Sequence, residues 1–185
     1  MELVTDGKKM NKDYVLLSSI KQFREVPGKK ALHKILYFEN IQLKFFIFGW
    51  RKWGPYSEEI QQFYDDAYLE NIISVNEKIL QNSATQYNIQ LDKKGKDILS
   101  KLEASNEVDH DKIDTAIKFS YNLLHEKTPR QMELLASVHY ISSRDSNLGA
   151  HQVWEIINRL KPKANFSEDD VNKAISELNQ HKLLV

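Results

Sequence analysis

Cysteine is absent from this 185-residue sequence, which excludes disulfides, thiolate-ligated zinc, iron–sulfur clusters and cysteine nucleophiles. Proline and glycine are scarce, at 4 and 6 residues, so they mark a few chain breaks within a globular composition. The first twelve residues are polar and lack the apolar core of a signal peptide. The strongest apolar run, residues 45–50, is far too short to cross a bilayer. We therefore expect a soluble, cytoplasmic protein with no membrane partner.

An excess of either charge is also missing, because 26 basic side chains balance 26 acidic ones. Binding to nucleic acid draws on neutralising phosphates with cations, so any such binding here requires a local basic patch. Neutrality also weakens repulsion between copies of the chain. A protein partner or a homodimer therefore stays open.

Hydrophobic periodicity predicts helices over residues 13–25, 29–40 and 57–71, with a buried aromatic strand at residues 45–50 before the third. Residues 73–77 and 87–91 alternate apolar and polar side chains, which predicts a hairpin. Asp92 is placed to cap the helix that follows. The order helix, helix, strand, helix, strand, strand, helix is that of a winged helix, which we place at residues 10–104.

The rest of the chain is predicted to be helical. A linker helix is expected within residues 105–127, and a three-helix unit resembling a helix-turn-helix follows at residues 128–185. Thr128-Pro129 is typical of a helix start, and Ser167 with Asp170 approximates a capping box. The predicted fold class is mainly α with a small β-sheet: a winged-helix-like domain followed by a C-terminal helical unit.

Three short segments carry a family resemblance: Lys34-Ile-Leu-Tyr-Phe38, Phe46-Ile-Phe48 and Trp53-Gly-Pro-Tyr-Ser-Glu-Glu59. Together they resemble the Panacea domain of SocA-like antitoxins and the related YwgA-type proteins. Residues 133–140 and 160–178 are similar to tails of the YwgA type. Trp53 departs from the pattern, since the family more often has tyrosine before Gly-Pro. The resemblance implies an antitoxin-like or regulatory role without catalytic residues.

The aromatic turn at Trp53-Gly-Pro-Tyr56 has two interpretations. Glycine and proline alone explain a rigid turn that sets the start of the next helix, whereas two aromatic side chains at a turn are also common in binding hot spots. The helix at residues 57–71 has an acidic exposed face and no lysine or arginine. That face is either simply solvated or binds a basic partner. The predicted partner-binding residues are Trp53, Tyr56, Glu58, Glu59, Gln62, Asp65 and Asp66.

The alternative is a DNA-binding regulator that uses a lysine-rich face instead. The third helix occupies the recognition position of a winged helix, but its carboxylates oppose docking on phosphates. Basic residues cluster on the second helix, beside the aromatic strand and after the hairpin. The candidates are Lys29, Lys30, Lys34, Arg51, Lys52, Lys93, Lys94 and Lys96.

Catalytic and metal-binding patterns are missing from the sequence. No phosphate-binding glycine loop, dinucleotide fingerprint or nucleophile elbow is present, and no two of the six histidines are spaced as helical metal ligands. His33 and His139 lie near apolar faces, where we expect them to be core or boundary residues. The sequence thus predicts no catalytic residues, no metal, no cofactor and no enzymatic activity.

Overall fold

A computed structural model describes residues 7–80, 83–105 and 108–184, with side chains from residue 12 onward. The chain is mainly helical, with two small antiparallel hairpins, as the sequence predicts in outline. A 3₁₀ turn, Pro162–Ala164, separates the last two helices. The elements are α1 (Gly7–Phe23), α2 (Lys29–Leu43), β1 (Gly49–Arg51), β2 (Gly54–Tyr56), α3 (Glu58–Leu69), β3 (Ile73–Ile79), β4 (Thr85–Leu91), α4 (Lys93–Glu103), α5 (His110–Leu124), α6 (Pro129–Ser142), α7 (Ala150–Leu160) and α8 (Glu168–Gln180).

Helix α2 is the centre of the fold. Residues 31–39 are all buried, because α2 packs against α1, α3, α5, α6 and β2. A helix that is covered on every side is expected to be apolar all round, and α2 meets this through side chains such as Leu32, Leu36 and Phe38. Three polar side chains nevertheless share this environment, namely His33, Lys34 and Glu39.

The predicted buried strand at residues 45–50 is wrong. The observed strand β1 begins only at Gly49, and it pairs with β2 across a loop formed by Lys52 and Trp53. The preceding backbone is held by a side chain: Asn40 donates from Nδ2 to the Phe46 carbonyl at 2.9 Å and accepts the Phe46 N–H at Oδ1 at 2.8 Å. Phe46 is buried, but Ile47 beside it is 84% exposed. The segment therefore anchors one ring and does not form a buried strand.

The second hairpin, β3–β4, confirms the sequence prediction. Its seven-residue strands pair from Ile73 with Leu91 to Ile79 with Thr85, and residues 81–82 of its loop lie outside the described part of the chain. Asp92 caps α4 by accepting the backbone N–H of Lys93. A single antiparallel bridge joins Val26, between α1 and α2, to Ile89 of β4.

Helices α6, α7 and α8 pack against one another, and α6 also contacts α2 and β2. The predicted starts of α6 and α8 are confirmed, since Thr128 with Gln131 and Ser167 with Asp170 form capping boxes. One continuous group of buried apolar side chains extends from Tyr14 to Leu178. The domain boundaries at residues 104 and 128 stay predictions, and residues 106–107 of the linker lie outside the described ranges.

Candidate functional site

Trp53 lies at the tip of the β1–β2 hairpin and is 42% exposed. The Lys30 ammonium is 3.1 Å from the centre of its ring, and the Lys52 ammonium is 4.9 Å from it. The negative face of an indole attracts such cations, and each contact contributes about 0.5–1 kcal/mol at an exposed site. The two lysines therefore restrict the orientation of the indole while much of its surface stays in solvent.

Tyr56 connects the hairpin to α3. Its ring stacks on His33 with 4.5 Å between centroids, and its hydroxyl donates to Glu58 Oε2 at 3.2 Å. Glu58 also forms an ion pair with Arg51. The hairpin tip and α3 thus present one surface, which we call the hairpin surface. It comprises Arg51, Lys52, Trp53, Tyr56, Glu58, Glu59, Gln62, Asp65 and Asp66.

The carboxylates of α3 are largely paired with basic side chains. Glu58, Glu59 and Asp65 are exposed, as predicted, and Asp66 is partly exposed. Asp66 accepts a hydrogen bond from Gln62 at 2.9 Å. The ion pairs along the helix are Lys12–Glu59, Lys29–Asp65, Arg51–Glu58 and Lys94–Glu70. Four of the five carboxylates on α3 and its C-cap Glu70 thus have a cation beside them, so the α3 face keeps little net negative charge.

The basic residues of the DNA-binding alternative do not form one separate face. Lys29 of α2 pairs with Asp65 within α3, whereas Lys94 of α4 pairs with Glu70 at the C-terminal end of α3. Lys93 and Lys96 are exposed on α4. The placement of Lys34 among exposed lysines is wrong, because this residue is only 2% exposed. Its ammonium points into the protein and is not accessible to phosphate.

Lys34 belongs instead to a buried polar cluster beneath the hairpin. Its Nζ donates to the carbonyl of Pro55 in β2 at 2.6 Å. Nearby, the Nζ of Lys161 lies 2.7 Å from Glu133 Oε1, and the Lys161 side chain is only 2% exposed. We call Lys34, Glu133, Lys161 and the Pro55 carbonyl the lysine clasp, since together they hold β2 against α2 and α6.

Gly54 shows how closely the hairpin fits on the lysine clasp. Its φ of +91° favours glycine, and a Cβ there would lie 2.8 Å from Ser137 Oγ and 3.1 Å from Lys161 Nζ. Glycine at this position therefore serves both the backbone conformation and the close approach to α6. The predicted turn at Gly54-Pro55 lies elsewhere: Lys52 and Trp53 form the turn, and Gly54 and Pro55 belong to strand β2.

Burial shifts the pKa of several groups around the hairpin. The pKa of Lys34 is lowered to about 7, mainly by burial, with the nearby Lys161 ammonium adding to the shift and Glu133 opposing it. Burial also lowers the pKa of Lys161, against its hydrogen bond to Glu133. The pKa of His33 falls to about 4, mainly through burial. A neutral His33 suits its contact, because its Nδ1 accepts the Ser57 N–H at 3.3 Å.

A second buried group that the sequence analysis did not single out is Glu39. Its carboxyl is fully buried and contacts the hydroxyls of Ser19 at 2.7 Å and Ser120 at 2.8 Å. Burial raises its pKa to about 8, although both hydroxyls oppose the shift. The sequence signal for this group is a lone carboxylate within the apolar run of α2, at a position that is shielded from solvent when the helix is covered on all sides.

His33 and His139 are buried, which confirms their prediction as core or boundary residues. In the part of the chain with described side chains, no group of three or more potential ligands is placed to hold a metal ion. Within the described residues, no helix combines the length and apolar composition needed to cross a membrane.

No protein-family model matches the chain, and no curated protein sequence matches it either. The resemblance to the Panacea and YwgA-type proteins therefore stays a prediction that rests on the quoted motifs. In the structure, two residues of those motifs are joined by a hydrogen bond, which Lys34 donates to the carbonyl of Pro55.

Proposed function

We propose that this protein is a non-enzymatic regulatory binding protein that engages a partner protein through the hairpin surface. The observation that carries the proposal is Trp53, an exposed indole at the tip of a hairpin that the lysine clasp holds in place. Large aromatic side chains on rigid supports are the usual anchors of protein interfaces. The antitoxin or adaptor type of activity follows from the family resemblance alone.

The proposed scaffold is a winged helix with one insertion. The bridge between Val26 and Ile89 occupies the position of the first strand, which in this interpretation pairs with β4 of the wing. Helices α1, α2 and α3 and the β3–β4 hairpin then follow the winged-helix order, and β1–β2 is inserted before the recognition helix α3. This assignment replaces residues 45–50 with Val26 as the first strand.

The charge pattern favours a protein partner over nucleic acid. Ion pairs between α3 and its neighbours leave no excess of cations on the hairpin surface, and phosphate binding requires such an excess. A polar, charge-balanced rim around an aromatic centre is instead the common arrangement of protein interfaces. Lys29, Arg51 and Lys94 already have carboxylate partners there, so recruiting them to phosphates would break existing pairs.

The test compares the partner proteins that are captured by the wild-type protein with those captured by two variants. Each variant has one exposed side chain replaced by alanine. We expect a specific partner captured by the wild-type protein to be lost with Trp53→Ala, by more than tenfold in affinity, as for hot-spot truncations. Ile47→Ala is the matched control, because Ile47 is even more exposed but lies outside the hairpin surface. A partner that is retained by Trp53→Ala, or lost equally with Ile47→Ala, would contradict the proposal.

DNA binding remains the second candidate because of a basic group away from α3. Arg24 and Lys96, together with Lys21, which is paired with Glu103 at 2.6 Å, line one cavity of about 410 Å³ between α1, β4 and α4. The discriminating measurement is anisotropy of labelled random duplex DNA at about 50 and about 200 mM salt. No binding at the lower salt supports the protein-binding proposal. The DNA-binding regulator would be favoured by micromolar binding that weakens with salt and is lost when Lys93, Lys94 and Lys96 become glutamate. In that alternative, the protein binds DNA as a homodimer.

A further inference from the structure

A cavity of about 450 Å³ opens between the C-terminal ends of α2 and α6, next to the segment that leads into β1. Its walls are rich in aromatic rings: Tyr37 packs edge-on against Phe48 at 5.2 Å between centroids, and Tyr140 lies 6.2 Å from Tyr37. This volume is typical of small-molecule sites, and polar side chains line the cavity beside the rings. The described lining residues are Tyr37, Asn40, Ile41, Lys44, Phe48, His139, Tyr140, Ser143 and Arg144.

The charges at this cavity are all of one sign. Lys44 and Arg144 line it, and no acidic side chain occurs among the lining residues that the structure describes. This contrasts with the hairpin surface, where carboxylates pair with the cations. The Arg144 guanidinium lies over the Tyr140 ring at 3.4 Å and donates to the Tyr140 carbonyl at 3.1 Å. On this side of the cavity, the Tyr140 ring and the Arg144 guanidinium therefore lie directly against each other.

The ends of α2 and α6 partly offset these cations. A helix C-terminus acts as about half a negative charge, so two termini still leave the cavity about one elementary charge positive. Several carbonyls in the last turns are also already engaged. The N–H of Lys44 bonds to the Asn40 carbonyl, and the N–H of Ser143 bonds to the His139 carbonyl. The site thus keeps a net preference for an anion.

The floor of the cavity is a buried hydrogen bond between Tyr37 and His139. The tyrosine hydroxyl lies 2.7 Å from His139 Nδ1, and both residues are buried. The pKa of His139 is lowered to about 4, chiefly by burial, with Lys44 and Arg144 adding to the effect. A neutral ring accepts the hydroxyl hydrogen at Nδ1, so the floor is pre-organised and carries no charge at neutral pH.

We propose that this cavity binds a planar aromatic ligand that carries an anionic group. The ring packs against Phe48, Tyr37 and Tyr140, and Lys44 and Arg144 bind the anion. A nucleoside monophosphate and an aromatic carboxylate share this chemistry. The ligand would lie beside the hairpin, because Phe48 directly precedes β1 and Trp50 of β1 packs on Tyr140 at 5.4 Å. The proposal does not depend on the partner of the hairpin surface.

The experiment is calorimetric titration of the full-length protein with AMP and, separately, with salicylate. Adenosine and inorganic phosphate serve as probes that have only the ring or only the charge. We expect AMP or salicylate to bind with a Kd below about 1 mM, and adenosine and phosphate to bind much more weakly. Binding of AMP alone identifies a nucleotide as the source of the chemistry, whereas binding of salicylate alone identifies a carboxylate.

Amino-acid substitutions test whether the ligand binds in this cavity. Removing both charges in a Lys44→Gln/Arg144→Gln double variant should weaken binding by roughly a hundredfold, at about tenfold for each lost charge. Lys112→Gln removes an exposed charge on α5, outside the cavity, and should bind like the wild type. The ring-proton resonances of His139 should shift on binding. The proposal is overturned if neither probe binds, if phosphate binds as tightly as AMP, or if the folded double variant binds unchanged.

Discussion

Two buried polar groups of this protein solve the same problem in different ways. In the lysine clasp, the Lys161 ammonium is paired with the Glu133 carboxylate, whereas Lys34 bonds to the backbone carbonyl of Pro55. Glu39 lies where α1, α2 and α5 meet, and its partners among the described side chains are the hydroxyls of Ser19 and Ser120. Burial makes any charge costly unless a partner of opposite sign is present. Glu39 has no such partner among the described side chains, so protonation is its route to a low-cost state.

The hydrogen count at Glu39 supports a protonated carboxyl. Each serine hydroxyl has one hydrogen, and each also lies within bonding distance of a helix carbonyl, Val15 for Ser19 and Ile117 for Ser120. A protonated Glu39 can donate to one hydroxyl while that hydroxyl donates to its helix carbonyl. Glu39 and Lys34 thus both become neutral when buried, but by opposite proton transfers: Glu39 binds a proton and Lys34 releases one.

The largest expected effect comes from breaking the lysine clasp at its single carboxylate. Glu133→Leu leaves the Lys161 ammonium buried without its partner, which costs about 4 kcal/mol in the free energy of unfolding. Urea denaturation at neutral pH measures this change. Adding Lys161→Met should restore most of the loss, because the unpaired charge is then gone. A single variant within about 1 kcal/mol of the wild type would show that the clasp contributes little.

Glu39→Gln tests the group that lacks an opposite charge. The raised pKa of about 8 means that the folded state binds more protons than the unfolded state between about pH 5 and 8. The wild-type free energy of unfolding should therefore decrease relative to that of Glu39→Gln as the pH rises through this window, by about 1 kcal/mol per pH unit. The comparison with the variant isolates Glu39, because His33, His139 and Lys34 titrate in both proteins. Parallel denaturation curves of both proteins from pH 5 to pH 8 would be evidence against a protonated Glu39.

Lys34→Met tests the opposite direction of titration. The pKa of Lys34 is lowered from 10.5 to about 7, so above pH 7 the unfolded state binds more protons than the folded state. Wild-type stability should then rise between pH 7 and about pH 10, and the methionine variant should lose this increment. Denaturation midpoints at pH 7 and pH 9 measure it. Lys93→Met is the control, because it makes the same substitution at an exposed lysine outside the lysine clasp.

The smallest predicted effect compares two buried serines. Ser120→Ala removes a hydroxyl that contacts Glu39 and should lower the free energy of unfolding by about 1 kcal/mol. Ser137 donates at 2.7 Å to the Glu133 carbonyl of its own helix, a bond that adds little to a formed helix. Ser137→Ala should therefore cost less than half as much. Equal losses in thermal and urea denaturation would remove this distinction between the two clusters.

Local signals in the sequence predicted several elements correctly. The capping residues Asp92, Thr128 and Ser167 mark their helices because a cap depends only on the next few residues. The β3–β4 hairpin was predicted for the same reason, since its strands are adjacent in the chain and alternate clearly. The acidic, exposed character of α3 also follows from helical periodicity. Its ion pairs do not, because all four of the basic partners come from other elements.

The errors arise from contacts that the local periodicity of the sequence does not describe. Residues 45–50 have the composition of a strand, but the Asn40 side chain takes the backbone groups of Phe46. The sequence predicts Lys34 to be a surface lysine because lysine is seldom buried. Helix α2 has no amphipathic pattern that would reveal the burial of this side chain. The cavity between α2 and α6 unites side chains about a hundred positions apart, such as Tyr37 and His139.

The sequence by itself determined the helical class, the β3–β4 hairpin, the caps and the lack of any cysteine chemistry. These depend on composition and on neighbours within a few residues, where backbone geometry limits the choices. The tertiary structure alone decided which charges meet. It buried Lys34 under Pro55, enclosed Glu39 between two serines, and neutralised α3 with lysines from three other elements. Pairing of this kind depends on how helices pack, and packing brings together residues that the sequence keeps apart.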